Sequence, residues 1–252
     1  MIDKQDVINV YWAPAVFADP KTLFSQEWEL LYPEPSTVYS ELNNKKINSE
    51  GLKTSFFVCP SVKNNFKNTY VFNNVLESEY NYIGRDISPI SKNFLSYETD
   101  RPQAITSGPL INLGLRYVFF ADSDLEAHFT SPYFHKAEYL KYGSLVPGSY
   151  NIGSWFRQFN FELQMWENEG NFIVKENEPI FYVNFKTNKK IKLHRFKYTD
   201  ILNHYAMMCA TSPISIKSNI PLVDRYKMFK NARANELILK EIKKNLIGEH
   251  YE

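Results

Sequence analysis

Pro147 to Phe185 reads PGSYNIGSWFRQFNFELQMWENEGNFIVKENEPIFYVNF, and its patterning decides the fold class. From Phe156 to Trp166 apolar and polar residues alternate. Phe159, Phe161, Leu163 and Met165 fall on one side, and Gln158, Asn160, Glu162 and Gln164 on the other. Successive side chains of an extended chain point to opposite faces, so a period of two marks a half-buried β-strand. Two more apolar runs follow, Phe172 to Val174 and Ile180 to Phe185. Asn168-Glu169-Gly170-Asn171 and Glu176-Asn177-Glu178-Pro179 separate them. Both separators are rich in turn formers, so the whole stretch is expected to fold as an antiparallel meander.

Working outward, the N-terminal side reads as more strands. Val7 to Trp12 is apolar on both faces and is expected as a central strand. Trp28 to Tyr32 and Ser55 to Cys59 follow, stopped by Pro33 and Pro60, since proline lacks the donor that a ladder needs. Lys63 to Asn68 flanks Phe66 in an expected turn, with strands at Thr69 to Phe72 and Tyr80 to Ile83. Gly84 to Thr106 has no regular period and is read as a long loop covering a site. Leu110 to Phe120 is one β-prone run with a bend at Gly114.

Beyond Phe185, Ile191 to Phe196 is a further strand, and then the period changes. Asp200 is placed to cap a helix with Ile201, Tyr205 and Met208 on its apolar side. Pro221 suits the first turn of a last helix striped by Leu222, Tyr226, Phe229, Leu237, Ile238, Ile242 and Leu246. Many strands followed by two helices predict a mainly β protein. The expected form is an antiparallel β-sandwich or β-clip-like barrel over residues 1–197, with a helical extension over 198–252 packed on it.

Composition bounds the function. Hydrophobic residues make up 44% of the 252, enough for a substantial core, and the 16% aromatic share favours strands. A net charge of +1 gives no overall field to draw nucleic acid or an anionic membrane, leaving only a local basic patch. No run reaches the ~18 apolar residues of a membrane span, and MIDKQDVINV has no signal-peptide pattern, so a soluble, cytoplasmic protein is expected. Cys59 and Cys209 lack metal spacing and are read as two buried thiols.

The residues that could carry chemistry centre on the polar face of the 156–166 strand. Gln158, Asn160, Glu162 and Gln164, with Arg157, Tyr150 and His135, could hold a small ligand by hydrogen bonds, with Glu162 as the catalytic carboxylate if burial raises its pKa. The plain alternative is a solvated sheet face. His128, His135 and Glu138 lack the spacing of a metal site, as do Asp122, Asp124 and Glu126 of a calcium loop, so no metal is assigned. Lys189, Lys190, Lys192, Arg195 and Lys197 could touch phosphate, but a charged edge that resists strand pairing accounts for them as well. No phosphate loop and no GxSxG elbow occurs, and no cofactor is identified.

Two resemblances add to this. Phe57-Val58-Cys59-Pro60, Thr130-Ser131-Pro132-Tyr133, Trp155-Phe156-Arg157 and Glu178-Pro179-Ile180 resemble a domain family of unknown function found in tailed phages of marine bacteria and in some bacteria. For a phage protein the implied location is the host cytoplasm. Pro147-Gly148, Asn151, Gly153, Phe161-Glu162-Leu163 and Pro179-Ile180 resemble the dCTP deaminase and dUTPase family, with Thr130-Ser131-Pro132 where that family carries an Arg-Ser motif. This second resemblance implies a β-clip, a homotrimer, a nucleotide substrate and Glu162 as general base. Three functions are therefore expected in order: a ligand- or partner-binding β protein, a nucleotide-metabolism hydrolase or deaminase, and a phage structural or assembly protein.

Overall fold

The computed structural model describes residues 7–15, 32–44, 59–75, 77–83, 86–89, 97–98, 108–113, 117–159, 161–210 and 222–247. The strand residues expected at 28–31 and 55–58, most of 84–106, Gly114, Asn160 and Pro221 lie outside them.

The first half of the chain gives β1 (Val7–Pro14), β2 (Ser36–Thr37), helix α1 (Val38–Asn44), helix α2 (Pro60–Lys67), β3 (Thr69–Asn73), β4 (Ser78–Ile83), β5 (Asp86–Pro89) and β6 (Tyr97–Glu98). Next come β7 (Leu110–Leu113), β8 (Tyr117–Ala121), β9 (Glu126–Thr130), a 3-10 turn at Glu138–Lys141, β10 (Gly143–Leu145), β11 (Gly148–Asn151) and β12 (Phe161–Met165). The last part holds β13 (Glu169–Val174), β14 (Pro179–Phe185), β15 (Lys190–Phe196), helices α3 (Asp200–Ala210), α4 (Leu222–Asn231) and α5 (Ala234–Lys244), and β16 (Leu246–Ile247). The chain is mainly β, as its patterning predicts.

Two sheets face each other. One has the order β16-β15-β1-β8 and the other β11-β9-β14-β3-β2. Between them lies a core dense in aromatic rings. Trp12 meets Phe72 edge-on at 5.4 Å, Phe119 meets Phe129 at 5.6 Å, and Phe161 meets Phe181 at 4.3 Å. Edge and offset ring contacts of this kind add to plain area burial. Two smaller sheets, β10-β12-β7-β6 and β13-β4-β5, supply further side chains to the same core, including Leu163, Met165, Tyr80 and Phe172.

The outer faces are covered by helices. Tyr11, Ala13, Val118, Phe120 and Phe196 face outward from the first sheet and pack with Leu202, Ala206, Cys209, Phe229, Ile238 and Ile242 of α3 to α5. Val71 and Tyr182 face outward from the second sheet and pack with Val38 of α1 and Phe66 of α2.

Several expectations are corrected. β12, β13 and β14 follow one another in the chain but enter three different sheets, so they are not a meander. Their partners, β7, β4 and β3 with β9, come from distant segments. The alternation over 156–166 becomes a strand only from Phe161. Before it the chain crosses between cores, burying Phe156 beside α3 to α5 and Phe159 between the sheets. The 110–120 run is two strands in two sheets. Helix α2 replaces the turn expected at Lys63 to Asn68, and Pro60, expected only to stop a strand, opens it, because proline suits a first helical turn.

In α3 the buried residues are Leu202, Ala206 and Cys209, while Ile201 and Met208 are 53% and 68% exposed. The cap is Thr199, whose Oγ1 accepts the Leu202 N–H at 3.3 Å. The last helix is broken by Arg233, in the left-handed region at φ 53, and Leu246 leaves it to pair with Phe196. Cys209 is buried, whereas Cys59 is exposed and both are free. Among the described residues no helix is long and apolar enough to cross a membrane.

Candidate functional site

The residues singled out by sequence take different partners. Glu162 and Gln164 do share one half-buried face of β12, with Glu162 opposite Asn112 and Gln164 opposite Ser144. The Gln164 amide is committed to structure, since Nε2 donates to the carbonyls of Gly108 at 3.0 Å and Met165 at 2.9 Å. Arg157 comes together with Tyr150, its guanidinium 5.6 Å from the ring centroid. Tyr150 packs against Phe159 and Phe129. Gln158 leaves the strand, bridges Val118 and hydrogen-bonds the Tyr198 phenol beside α3.

His135 turns elsewhere. Its Nε2 lies 2.7 Å from Glu41 Oε2 of α1, and its Nδ1 contacts the Tyr182 hydroxyl. The Tyr182 phenol is raised well above its ordinary pKa, chiefly by burial, so it stays protonated and bridges the imidazole to β14. His128 pairs with Ser149 at 2.8 Å, and Glu138 is tied to Lys141 and Lys175. Among the described residues no cluster of His, Cys, Asp and Glu could hold a metal ion.

A different site emerges where the β15 side of the first sheet meets β2 and β3 of the second. Here a cleft of about 440 Å³ is lined by Thr37, Asn64, Lys67, Asn68, Tyr70, Asn188, Lys189, Lys190 and Ile191. That volume is in the range of small-molecule sites. Three lysines and no carboxylate are among these residues. Neither Lys67, Lys189 nor Lys190 forms an ion pair with a described residue, although lysines on α4 and α5 pair with acids three positions away. Glu162, Gln158, Gln164, Arg157, Tyr150 and His135 do not line the cleft.

The walls are held by hydrogen bonds. Asn68 follows α2, and its Nδ2 donates to the carbonyls of Thr187 at 2.7 Å and Lys189 at 3.2 Å. Thr187 Oγ1 in turn accepts the Lys189 N–H at 3.1 Å. The turn that presents Asn188 and Lys189 is thereby fixed to the end of α2. Asn184 of β14 donates to Asn65 O and Thr69 Oγ1, anchoring the same helix end to the sheet. On the α1 side Thr37 caps the helix, accepting the Ser40 N–H at 3.0 Å. The Tyr39 ring sits 5.5 Å from Lys67 Nζ and 5.8 Å from Lys63 Nζ, holding both ammoniums by cation–π attraction. Tyr70 also lines the cleft, with its phenol raised to about 12 by burial and its hydroxyl donating to the Ile191 carbonyl at 3.4 Å.

Part of this site was visible in the sequence as the Lys189 to Lys197 basic run, but that run divides. Arg195 turns into the core, 5.2 Å from the Trp12 ring, with Nη1 donating to the Tyr32 carbonyl at 2.8 Å. Asn64, Lys67 and Thr37 join only through tertiary packing. No protein-family model, curated protein or solved structure matches the chain.

Proposed function

We propose that this chain is a ligand-binding β protein whose cleft takes a phosphate-bearing ligand. The observation behind this reading is the set of three lysines, without an ion pair among the described residues, on pre-organised walls. An ammonium is a compact point charge that binds phosphate by charge-assisted hydrogen bonds, and walls already fixed lower the ordering cost of binding. The Asn64 and Asn188 amides and the Thr37 hydroxyl add neutral donors at the rim for the rest of the ligand. Nothing in the reading calls for bond-breaking chemistry.

Titration calorimetry with inorganic phosphate, pyrophosphate and thymidine monophosphate tests it. The expected result is binding that tightens from phosphate to pyrophosphate and weakens at least tenfold in K189A/K190A, with an unchanged thermal midpoint. Absence of binding to wild type by all three ligands would overturn the proposal.

A further inference from the structure

We propose that the cleft is one end of a cationic track that binds single-stranded nucleic acid along β15. This inference rests on the phosphate reading of the cleft and extends it beyond one ligand molecule.

The track follows from strand geometry. Ile191 and Leu193 face the aromatic core, so Lys190, Lys192 and His194 point to the opposite face of the first sheet. His194 confirms that direction: it stacks on Tyr11 at 5.3 Å, and its Nε2 lies 2.9 Å from Asn9 Oδ1 on the neighbouring strand. The helices α3 to α5 cover only the far half of this face, over Tyr11, Ala13 and Phe196. The near half keeps its polar side chains. Lys190 and Lys192 recur every second residue, about 6.6 Å apart along the strand. That is close to the spacing of phosphates in an extended single strand.

At the cleft the charge continues through Lys189 to Lys67 and Lys63 of α2, the last two gathered over Tyr39. Lys63, Lys67, Lys189, Lys190 and Lys192 form no ion pair with a described residue. Among the described residues, the carboxylate bonded into this half-face is Asp122, which accepts from the Asn9 side chain at 2.7 Å and from its N–H at 3.3 Å. A net charge of +1 over the whole chain makes such a local excess a segregated feature. The Asn64 and Asn188 amides of the cleft match the donor and acceptor edges of unpaired bases.

Fluorescence anisotropy with labelled oligothymidylates of four, eight and twelve nucleotides tests the track. With about four phosphates engaged, affinity should rise with length and then level off. It should fall about fifty-fold between 50 and 200 mM salt, from a slope near −0.7 per phosphate. K190E/K192E should weaken the twelve-nucleotide strand by tenfold or more and flatten the salt slope, while K240A/K243A on α5 leaves both unchanged. Lys190, Lys240 and Lys243 are exposed and Lys192 is half-buried, and a thermal midpoint equal to wild type checks that each variant is folded.

Oligonucleotides that bind no tighter than thymidine monophosphate would overturn the track and leave the cleft reading standing. Equal or tighter binding of a duplex, or equal competition by inorganic polyphosphate, would overturn the assignment to single strands. Wild-type affinity in K190E/K192E would remove β15 from the site. Failure of thymidine monophosphate and phosphate as well would remove the cleft.

Discussion

Gly153 shows how one residue joins two parts of the molecule. A Cβ there would lie 1.9 Å from the carbonyl oxygen of Ser123, which backbone cannot yield cheaply. The close approach lets Gly153 donate its N–H to Asn151 Oδ1 at 3.0 Å, while its carbonyl accepts from Asn235 of α5 at 2.8 Å. Gly148 lies five residues earlier in the same motif. Its Cβ would meet only the Tyr150 side chain, at 3.1 Å. Gly153→Ala should therefore destabilise by about 2–3 kcal/mol, and Gly148→Ala by under about 1 kcal/mol. Urea unfolding of the two variants measures the difference, and equal midpoints would refute the close-approach account. The sequence points to both glycines through the turn motif, but it does not say which one backs onto a distant carbonyl.

At the scale of elements, what local pattern determines was legible and what distant pairing determines was not. The alternation of Phe161, Leu163 and Met165 against Glu162 and Gln164 places every side chain of β12 on its correct face. Helix α3 was found from its period, but two apolar stripes compete there. Ile201, Tyr205 and Met208 are bulkier than Leu202, Ala206 and Cys209, yet the smaller Ala206 and Cys209 let the helix approach the sheet closely, with Tyr205 only partly buried beside them. Helix α2 was hidden because its asparagines and lysines read as turn formers. The division of successive strands among four sheets leaves no local trace. The same holds for the candidate site. The basic run at 189–192 was seen, but the lining from α2 and β2 arrives from more than a hundred residues away. Thr199→Ala should cost α3 its cap, about 1 kcal/mol, whereas Asp200→Ala should cost only a few tenths. Thermal unfolding of both variants checks this, and the reverse order would restore Asp200 as the cap.

At the scale of the whole molecule, the aromatic core carries a pH limit. Burial raises the Tyr32, Tyr70 and Tyr198 phenols to about 12, and those of Tyr80, Tyr117, Tyr139 and Tyr182 also rise. The folded state thus holds protons that the unfolded chain releases near pH 10. By linkage, stability is full below pH 10 and declines above it, by about 1.4 kcal/mol per pH unit for each such tyrosine. Absorbance at 295 nm during alkaline titration should show most of these phenols ionising in one cooperative step with loss of near-ultraviolet dichroism. Independent ionisation at pH 10 in a folded protein would contradict the burial described. The first sheet has a consequence of another kind. β1 pairs in parallel with β15, and Asn9 meets His194 across 185 residues of chain, while β16 closes beside Phe196. On the ribosome, β1 emerges long before β15 exists, and of its two neighbours only β8 can pair with it in the interval. Its β15-facing edge must wait while the intervening segments are made, so closure of the first sheet should arrive late and abruptly, with fragments that stop short of β15 prone to aggregate.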